Sequence, residues 1–413
     1  MLVVYNKRMK SDLIKELNWR GLLYQHTPGI EKTLLEPTTL YYGIDPTADS
    51  LQFGNLLGIS VLKRALDAGH SIVVLTGGGT AMIGDPGGKD KERPISPIEV
   101  VKTNTKKVKQ QLLSYFKGQE DRVKFVDNAD WLEHVTLISF LRDAGKFISI
   151  NSMLDKDSVS TRLSRDTGMS YAEFSYQLLQ AYDYLELFQK NNCRVQIGGS
   201  DQWGNIVQGV ELIRKKLSQE VHALSWPLIV DPKTGRKFGK SEGGKTMWLD
   251  AEKTHPLEFF QFFVNTEDIL APTLLRYFSF KTQTEIESME KSWTKQKETR
   301  SIQKQLAMEL TSFVHGDEVA VKCHKIASIL FDKSSDNLSL QDLEFVKSAV
   351  PYTHISHTDK LILENVLPEM GMVTSKGEAR RLIQQNGVKS QQLFDKYFLI
   401  RKGKHEYGVV EVI

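Results

Sequence analysis

Apolar positions in the first 230 residues switch repeatedly between short continuous runs and runs of helical period. Thr39-Leu40-Tyr41-Tyr42-Gly43-Ile44 has the pattern of a strand, and Leu56 to Ala68 that of an amphipathic helix stopped by Gly69. Ser71 to Thr76 is a continuous apolar strand running into Gly77-Gly78-Gly79. Val123 to Val126 is a third strand, Tyr171 to Lys190 a long helix, Arg194 to Gly198 a fourth strand, and Gly204 to Leu217 another helix. Apolar strands alternating with helices predict an α/β domain whose parallel sheet is covered on both faces. From about His255 to Asp332 the pattern becomes helical and strand-poor. Residues 333–345 are polar and are expected to form a linker, which leaves a small final domain at 346–413.

Composition narrows this only slightly. The 413 residues are 40% hydrophobic and 25% charged, ordinary for globular chains and enough for two to four domains. The formal net charge is +3, but its placement is uneven: between Gly371 and Lys404 there are eight basic residues and two acidic ones. A basic C-terminal segment suits contact with nucleic acid, and suits a solvated charged face equally well. Two cysteines, Cys193 and Cys323, allow neither a disulfide framework nor a cysteine zinc site. His354 and His357 lack acidic or cysteine partners at metal spacing, so no protein-bound metal is expected. With no signal-like N-terminus and no apolar run near the roughly 18 residues of a span, a cytoplasmic protein away from membranes is expected.

Two nucleotide motifs are incomplete. Gly77-Gly78-Gly79 followed by Met82 does not finish a dinucleotide fingerprint. Gly88-Lys89 lacks the first glycine and the hydroxyl residue of a P-loop. The informative segment is Tyr41 to Asn55, which leaves a strand and opens a helix, the place where parallel-sheet proteins bind ligands. Its Gly43 and Gly54 allow close backbone approach, and Thr47, Gln52 and Asn55 are neutral donors near a helix N-terminus. A second segment, Lys237-Phe238-Gly239-Lys240-Ser241, places two lysines on a Gly-flanked loop able to close over polyphosphate. Taken singly, the first reads equally as a plain connection and the second as a basic surface loop. On the long helix Tyr176, Gln180 and Asp183 fall at i, i+4 and i+7, hence on one face. A polar row facing a sheet needs partners, either a ligand or an internal hydrogen-bond network.

Together, and in this order, the two segments resemble the two signatures of class I aminoacyl-tRNA synthetases. TLYYGIDPTADSL, MIGDPGGK, EFSYQLLQAYDYL and QIGGSDQWGNI resemble the tyrosine-specific family of bacterial type. The resemblance implies a Rossmann-like catalytic domain at 1–230 with a dimer-forming insertion at about 125–165, where FLRDAGK (140–146) is similar to the family's dimer region. It implies a helical anticodon-arm-binding domain at 231–332, including the lysine loop. Ser375 to Val388 resembles the RNA-binding module of ribosomal small-subunit protein four, with Arg380 and Arg381 toward RNA. It further implies a homodimer that binds L-tyrosine, ATP with Mg2+ and the tRNA for tyrosine. In the tyrosine pocket, Tyr41 and Asp183 would meet the substrate phenol and Tyr176, Gln180 and Asp85 the ammonium, with Gln202 and Asn128 completing it. Gly43, Asp45, Gly199 and Asp201 would surround the adenosine. Thr47, Gln52, Asn55, Lys237 and Lys240 would carry the phosphate chemistry, with Lys89 and Arg93 assisting.

Two departures stand out. The first signature reads Gln52-Phe53-Gly54-Asn55, so neutral amides replace both histidines, and Tyr42 is bulkier than the family's small residue near the ribose. The expected reaction is attack of the tyrosine carboxylate on the α-phosphate of ATP, then transfer of tyrosine to the terminal ribose of tRNA. A tryptophan-specific relative is disfavoured by the Tyr41/Asp183 pair. A non-catalytic synthetase-like RNA-binding protein, such as a splicing partner or regulator, is the alternative from another class.

Overall fold

The computed structural model describes residues 12–85, 96–164, 168–233, 235, 237–239, 244–331, 337–357, 360–403 and 406–413. Lys89, Arg93 and Lys240 lie outside these. The chain forms two compact units: the described part of Met1–Leu249 with Asp268–Ser292, and Asp250–Glu267 with Trp293–Ile413. Among the described residues no helix is long and apolar enough to cross a membrane.

The first unit is built on six strands: β1 (Gln25–His26), β2 (Thr39–Ile44), β3 (Ser71–Thr76), β4 (Val123–Asp127), β5 (Cys193–Gly199) and β6 (His222–Trp226). Their order is β1-β6-β5-β2-β3-β4, parallel throughout except for the short edge strand β1. The continuous apolar runs gave β2 and β3 their expected limits. β6 escaped the hydrophobic pattern because it carries His222 and Ser225. Its five residues are all buried, and His222 is satisfied by the hydroxyls of Thr27 and Thr33 at 3.2 and 2.8 Å. The helix after β2 runs Phe53–Asp67, beginning three residues before the expected Leu56 because Phe53 is itself buried, 5.1 Å from the Phe278 ring. The long helix runs Tyr171–Asn191, opened by the Ser170 cap and closed by Asn192 in the left-handed region.

The expected division at 230–231 does not coincide with the division into compact units. A division at 230–231 falls inside the first unit, because the chain after it pairs with the start of the Phe53–Asp67 helix: Phe53 N–H donates to Met247 O and Leu249 N–H to Leu51 O, both at 2.9 Å. Residues 268–292 also belong to this unit, where the buried Arg20 guanidinium donates to the carbonyls of Arg276, Ser279 and Lys281 at 2.7 Å each.

The polar stretch expected as a linker at 333–345 is helical from Leu340 to Lys347. Its Ser and Asp form a capping box, in which Ser339 and Asp342 satisfy each other's backbone N–H groups, and Leu343 and Val346 are buried. In the second unit the helices Pro256–Val264, Ser301–His315 and Asp317–Phe331 pack together. The chain ends in a four-stranded sheet of order β7-β10-β9-β8, from β7 (Tyr352–Ile355), β8 (Val388–Leu393), β9 (Tyr397–Lys402) and β10 (Glu406–Val412). Helices Leu363–Glu369 and Lys376–Gln384 share a core with it through Leu367, Ala379, Ile400 and Val410.

Candidate active site

Along the chain β2, β3 and β4 are added outward on one side of the sheet, and β5 then returns to the other side of β2. The strand order therefore reverses between β2 and β5, and the crevice at their carboxyl ends is where such sheets bind ligands. A cavity of about 430 Å³ opens there. Tyr41, Gly43, Asp45, Thr47, Gln52, Asn55, Asp85, Tyr176, Gln180, Asp183, Gly199, Asp201, Gln202 and Lys237 all line it. One wall is the polar face of the Tyr171–Asn191 helix.

The deep half holds polar groups with unfinished hydrogen bonding. Tyr41 is fully buried, and its hydroxyl has no hydrogen-bond partner among the described residues; the same is true of Oε1 of Gln180 and of Gln196. Leaving such a group unsatisfied costs about 1–3 kcal/mol, so the internal network of this pocket leaves these three atoms with hydrogen bonds still to make. Asp183 accepts from Asn128 Nδ2 at 2.9 Å and from Trp131 Nε1 at 2.8 Å. Burial nevertheless pushes its carboxyl up to about 8, with Asp45 and Asp127 adding to the rise and the two donors opposing it. Tyr176 donates to one oxygen of Asp45 at 2.8 Å and Thr80 to the other at 2.7 Å. Gln202 Nε2 donates to Asp85 at 2.6 Å.

The triple glycine at the end of β3 owes its composition to this cluster. A Cβ on Gly77 would stand 2.0 Å from Asp45 Oδ1, and one on Gly78 would stand 2.4 Å from Asp127 Oδ1. These glycines let carboxylates reach the backbone, and Gly78 N–H donates to Asp127 at 3.0 Å.

At the mouth, Asn55 Oδ1 accepts the Gln52 N–H at 2.9 Å, which orients the first signature. The described ends of the lysine loop are tied to it. Phe238 N–H donates to Ile229 O, Met247 N–H to Gly239 O, and the Phe238 ring meets Phe53 edge-on at 5.7 Å. Lys237 Nζ lies 2.7 Å from Asp201 Oδ2.

Asn128 is placed differently from the expectation, and one residue was missed. Asn128 is wholly buried and does not line the cavity. Its Oδ1 accepts from Gly79 N–H and its Nδ2 holds Asp183, so it stands behind the pocket, braced by the glycine turn that follows β3. Arg380 and Arg381 lie on the helix Lys376–Gln384 of the second unit, where Arg380 is paired with Glu364 at 2.6 Å. Trp131 was missed. Nothing in its local spacing marks it, although its place just past the carboxyl end of β4 could have done so.

Comparison with known proteins gives the family. A family model described as tRNA synthetases class I (W and Y) matches residues 33–332. The chain is similar to the tyrosine–tRNA ligase of Staphylococcus saprophyticus, 42% identical over 422 residues that cover 97% of this chain and 99% of that one. It is 39% identical to that of Roseiflexus castenholzii, with the same coverage. Among solved structures, a C-terminally truncated mitochondrial tyrosyl-tRNA synthetase from Aspergillus nidulans is 30% identical with a TM-score of 0.69, covering 78% of this chain and 94% of that one. Relatives matched from end to end that are named as ligases disfavour a non-catalytic RNA-binding role. The chain belongs to the class I tRNA synthetases, in the family of the tyrosine–tRNA ligases.

Proposed function

We propose that the cavity between β2 and β5 makes tyrosyl-adenylate, with tyrosine in its deep half and ATP across its mouth. The observation that carries this is the buried, unpartnered Tyr41 hydroxyl in the same pocket as Asp183. Tyr41 donates to the substrate phenol oxygen, and the phenol donates to Asp183, which Asn128 and Trp131 hold in place. Tyr176, Gln180 and Asp85 take the ammonium group, with Gln202 beside them. Asp45 and Asp201, with close approach at Gly43 and Gly199, take the adenosine.

Chemistry follows from placement. The tyrosine carboxylate is already ionised at neutral pH, so no general base is required. It attacks the α-phosphorus of magnesium ATP in line, and magnesium pyrophosphate leaves. Thr47, Gln52 and Asn55 surround the phosphates from one side, with Lys237 and Lys240 on the other. Lys237 starts from its pair with Asp201 and moves to the phosphates as charge develops. A ribose hydroxyl of the terminal tRNA adenosine then attacks the adenylate. Arg380 and Arg381 and the helices of 231–332 hold the rest of the tRNA. Two copies associate through the insertion at 125–165, where Leu137, Ile138 and Ile150 are each at least 65% exposed.

The test is tyrosine-dependent exchange of labelled pyrophosphate into ATP, without tRNA. A site built to pair a hydroxyl rejects the analogue lacking it by about 10⁴–10⁵, a discrimination for which tyrosyl enzymes are themselves the standing example. Tyr41→Phe should lose much of this selectivity. Equal exchange with tyrosine and phenylalanine in the unaltered enzyme would sink the assignment.

A further inference from the structure

The loop between β2 and the Phe53–Asp67 helix carries Thr47 and Gln52, and both are exposed. Their aim is therefore set by the backbone that bears them. That backbone is held by the helix Ile98–Tyr115, to which the roles above give no work. Asn104, Lys107, Val108 and Gln111 fall at i, i+3, i+4 and i+7, on one face of this helix. Val108 is buried and lines the cavity. The other three reach the loop at successive points. Asn104 is buried and donates from Nδ2 to Pro46 O at 3.1 Å. Lys107 pairs with Asp49 at 3.1 Å, a partly exposed ion pair that contributes little. Gln111 Oε1 accepts the Leu51 N–H at 2.8 Å, and the Ser50 hydroxyl lies 3.4 Å from the same oxygen.

Leu51 is gripped from both sides. Its N–H goes to Gln111, and its C=O accepts from Leu249 N–H at 2.9 Å. Leu51 is also buried, so water is poorly placed to replace Gln111 at that N–H. The residue that follows is Gln52, whose own N–H is already taken by Asn55 Oδ1. The direction in which Gln52 leaves the loop thus depends on the Leu51 peptide, and that peptide depends on Gln111. Direction matters more here than it would with histidine. A neutral amide stabilises phosphate through the line of its N–H bond, without the charge that an imidazolium would bring.

We propose that Gln111 and Asn104 are positioning residues for adenylate formation. Bonded to the backbone at the two ends of the loop 46–51, they aim Thr47 and Gln52 at the phosphates of ATP. This rests on the reading of the cavity mouth as the ATP site. Neither residue touches the nucleotide, so each acts through the loop. Their bonds have opposite polarity: Gln111 accepts from the loop and Asn104 donates to it. A substitution that keeps the polarity keeps the aim, and one that removes it loses the aim with little change in bulk.

The experiment is pyrophosphate exchange, with tyrosine affinity measured by equilibrium dialysis on the same full-length proteins. Gln111→Met keeps the length of the side chain and removes the acceptor. It should lower kcat about 10–100-fold, as expected for misplaced phosphate contacts, and leave Kd for tyrosine unchanged. Asn104→Leu removes the donor at the other end and should act in the same way. Gln111→Glu keeps an accepting oxygen. Its kcat should stay within about threefold of that of Gln110→Glu, an exposed change one residue away that measures charge alone. Natural kcat in Gln111→Met overturns the proposal, as does a Gln111→Glu enzyme as slow as Gln111→Met. Loss of tyrosine affinity in step with rate overturns it too, because it marks a general structural role. Thr47→Ala and Lys237→Ala in the same assay separate the two readings. If they lower kcat while Gln111→Met does not, only this proposal fails. If none of the three does, the ATP site itself is misplaced and both readings fail.

Discussion

A carboxyl group as deep as Asp183 is pulled in two directions. Burial favours its protonated form, while the Asn128 and Trp131 donors favour the carboxylate, and the balance in the empty pocket lies at about 8. A substrate phenol that donates to Asp183 binds the carboxylate form, so tyrosine binding at neutral pH should expel a proton. The sign follows. The free enzyme is mostly protonated at Asp183 below about 8, so kcat/KM for tyrosine should rise with pH and level off above that value. Asn128→Ala removes a donor to the carboxylate and should shift the inflection upward. A profile that is flat between about pH 6 and 9 in the unaltered enzyme would contradict this. At this scale the sequence was informative wherever one segment supplied several groups. Tyr176, Gln180 and Asp183 share a helix face, and all three line the cavity. It was silent where a group works through a partner from elsewhere in the chain, as Asn128 and Trp131 do on Asp183.

Between single residues and the whole chain stands the lysine loop, described at residues 237–239 and again from Gly244. Its upstream end is held by backbone bonds to Ile229 and Met247, and residues 247–249 bond in turn to residues 51–53, so the two signature segments, nearly 200 positions apart, are linked through that stretch. If the lysines meet phosphate mainly in the transition state, Lys237→Ala and Lys240→Ala should each lower kcat by about 10²–10³ while KM for tyrosine hardly moves. Single-turnover adenylate formation measures this directly, and unchanged rates would return the loop to a basic surface feature. Elements with continuous apolar runs, β2 and β3, could be delimited from the pattern alone. Two others could not. β6 is buried yet contains His222 and Ser225, whose polar groups are satisfied inside the fold. The helix Leu340–Lys347 was hidden because the residues that cap it are the same polar types that make linkers.

For the whole molecule, that helix decides where the chain can be cut. Asp342 pairs with Lys325 at 2.6 Å and Leu343 is fully buried, so ending the chain at Asp342 would expose a core. A chain ending at Ser348 keeps the helix. It should make tyrosyl-adenylate at the natural rate and charge tRNA poorly; charging by the shortened chain equal to that of the full chain would remove the tail from the tRNA site. Within the tail, Arg381→Ala should weaken tRNA binding more than Arg380→Ala, because Arg380 already has Glu364. The double change should flatten the log–log salt dependence by roughly one to two units. The sheet order has a consequence of another kind, for synthesis. β2 meets β3 soon after both are made, but its other neighbour, β5, begins only at Cys193. At about 5–20 residues per second, the central strand of the pocket waits on the order of ten seconds on the ribosome with the N–H and C=O groups of one edge unpaired. That interval leaves the growing chain open to misassembly and to capture by chaperones.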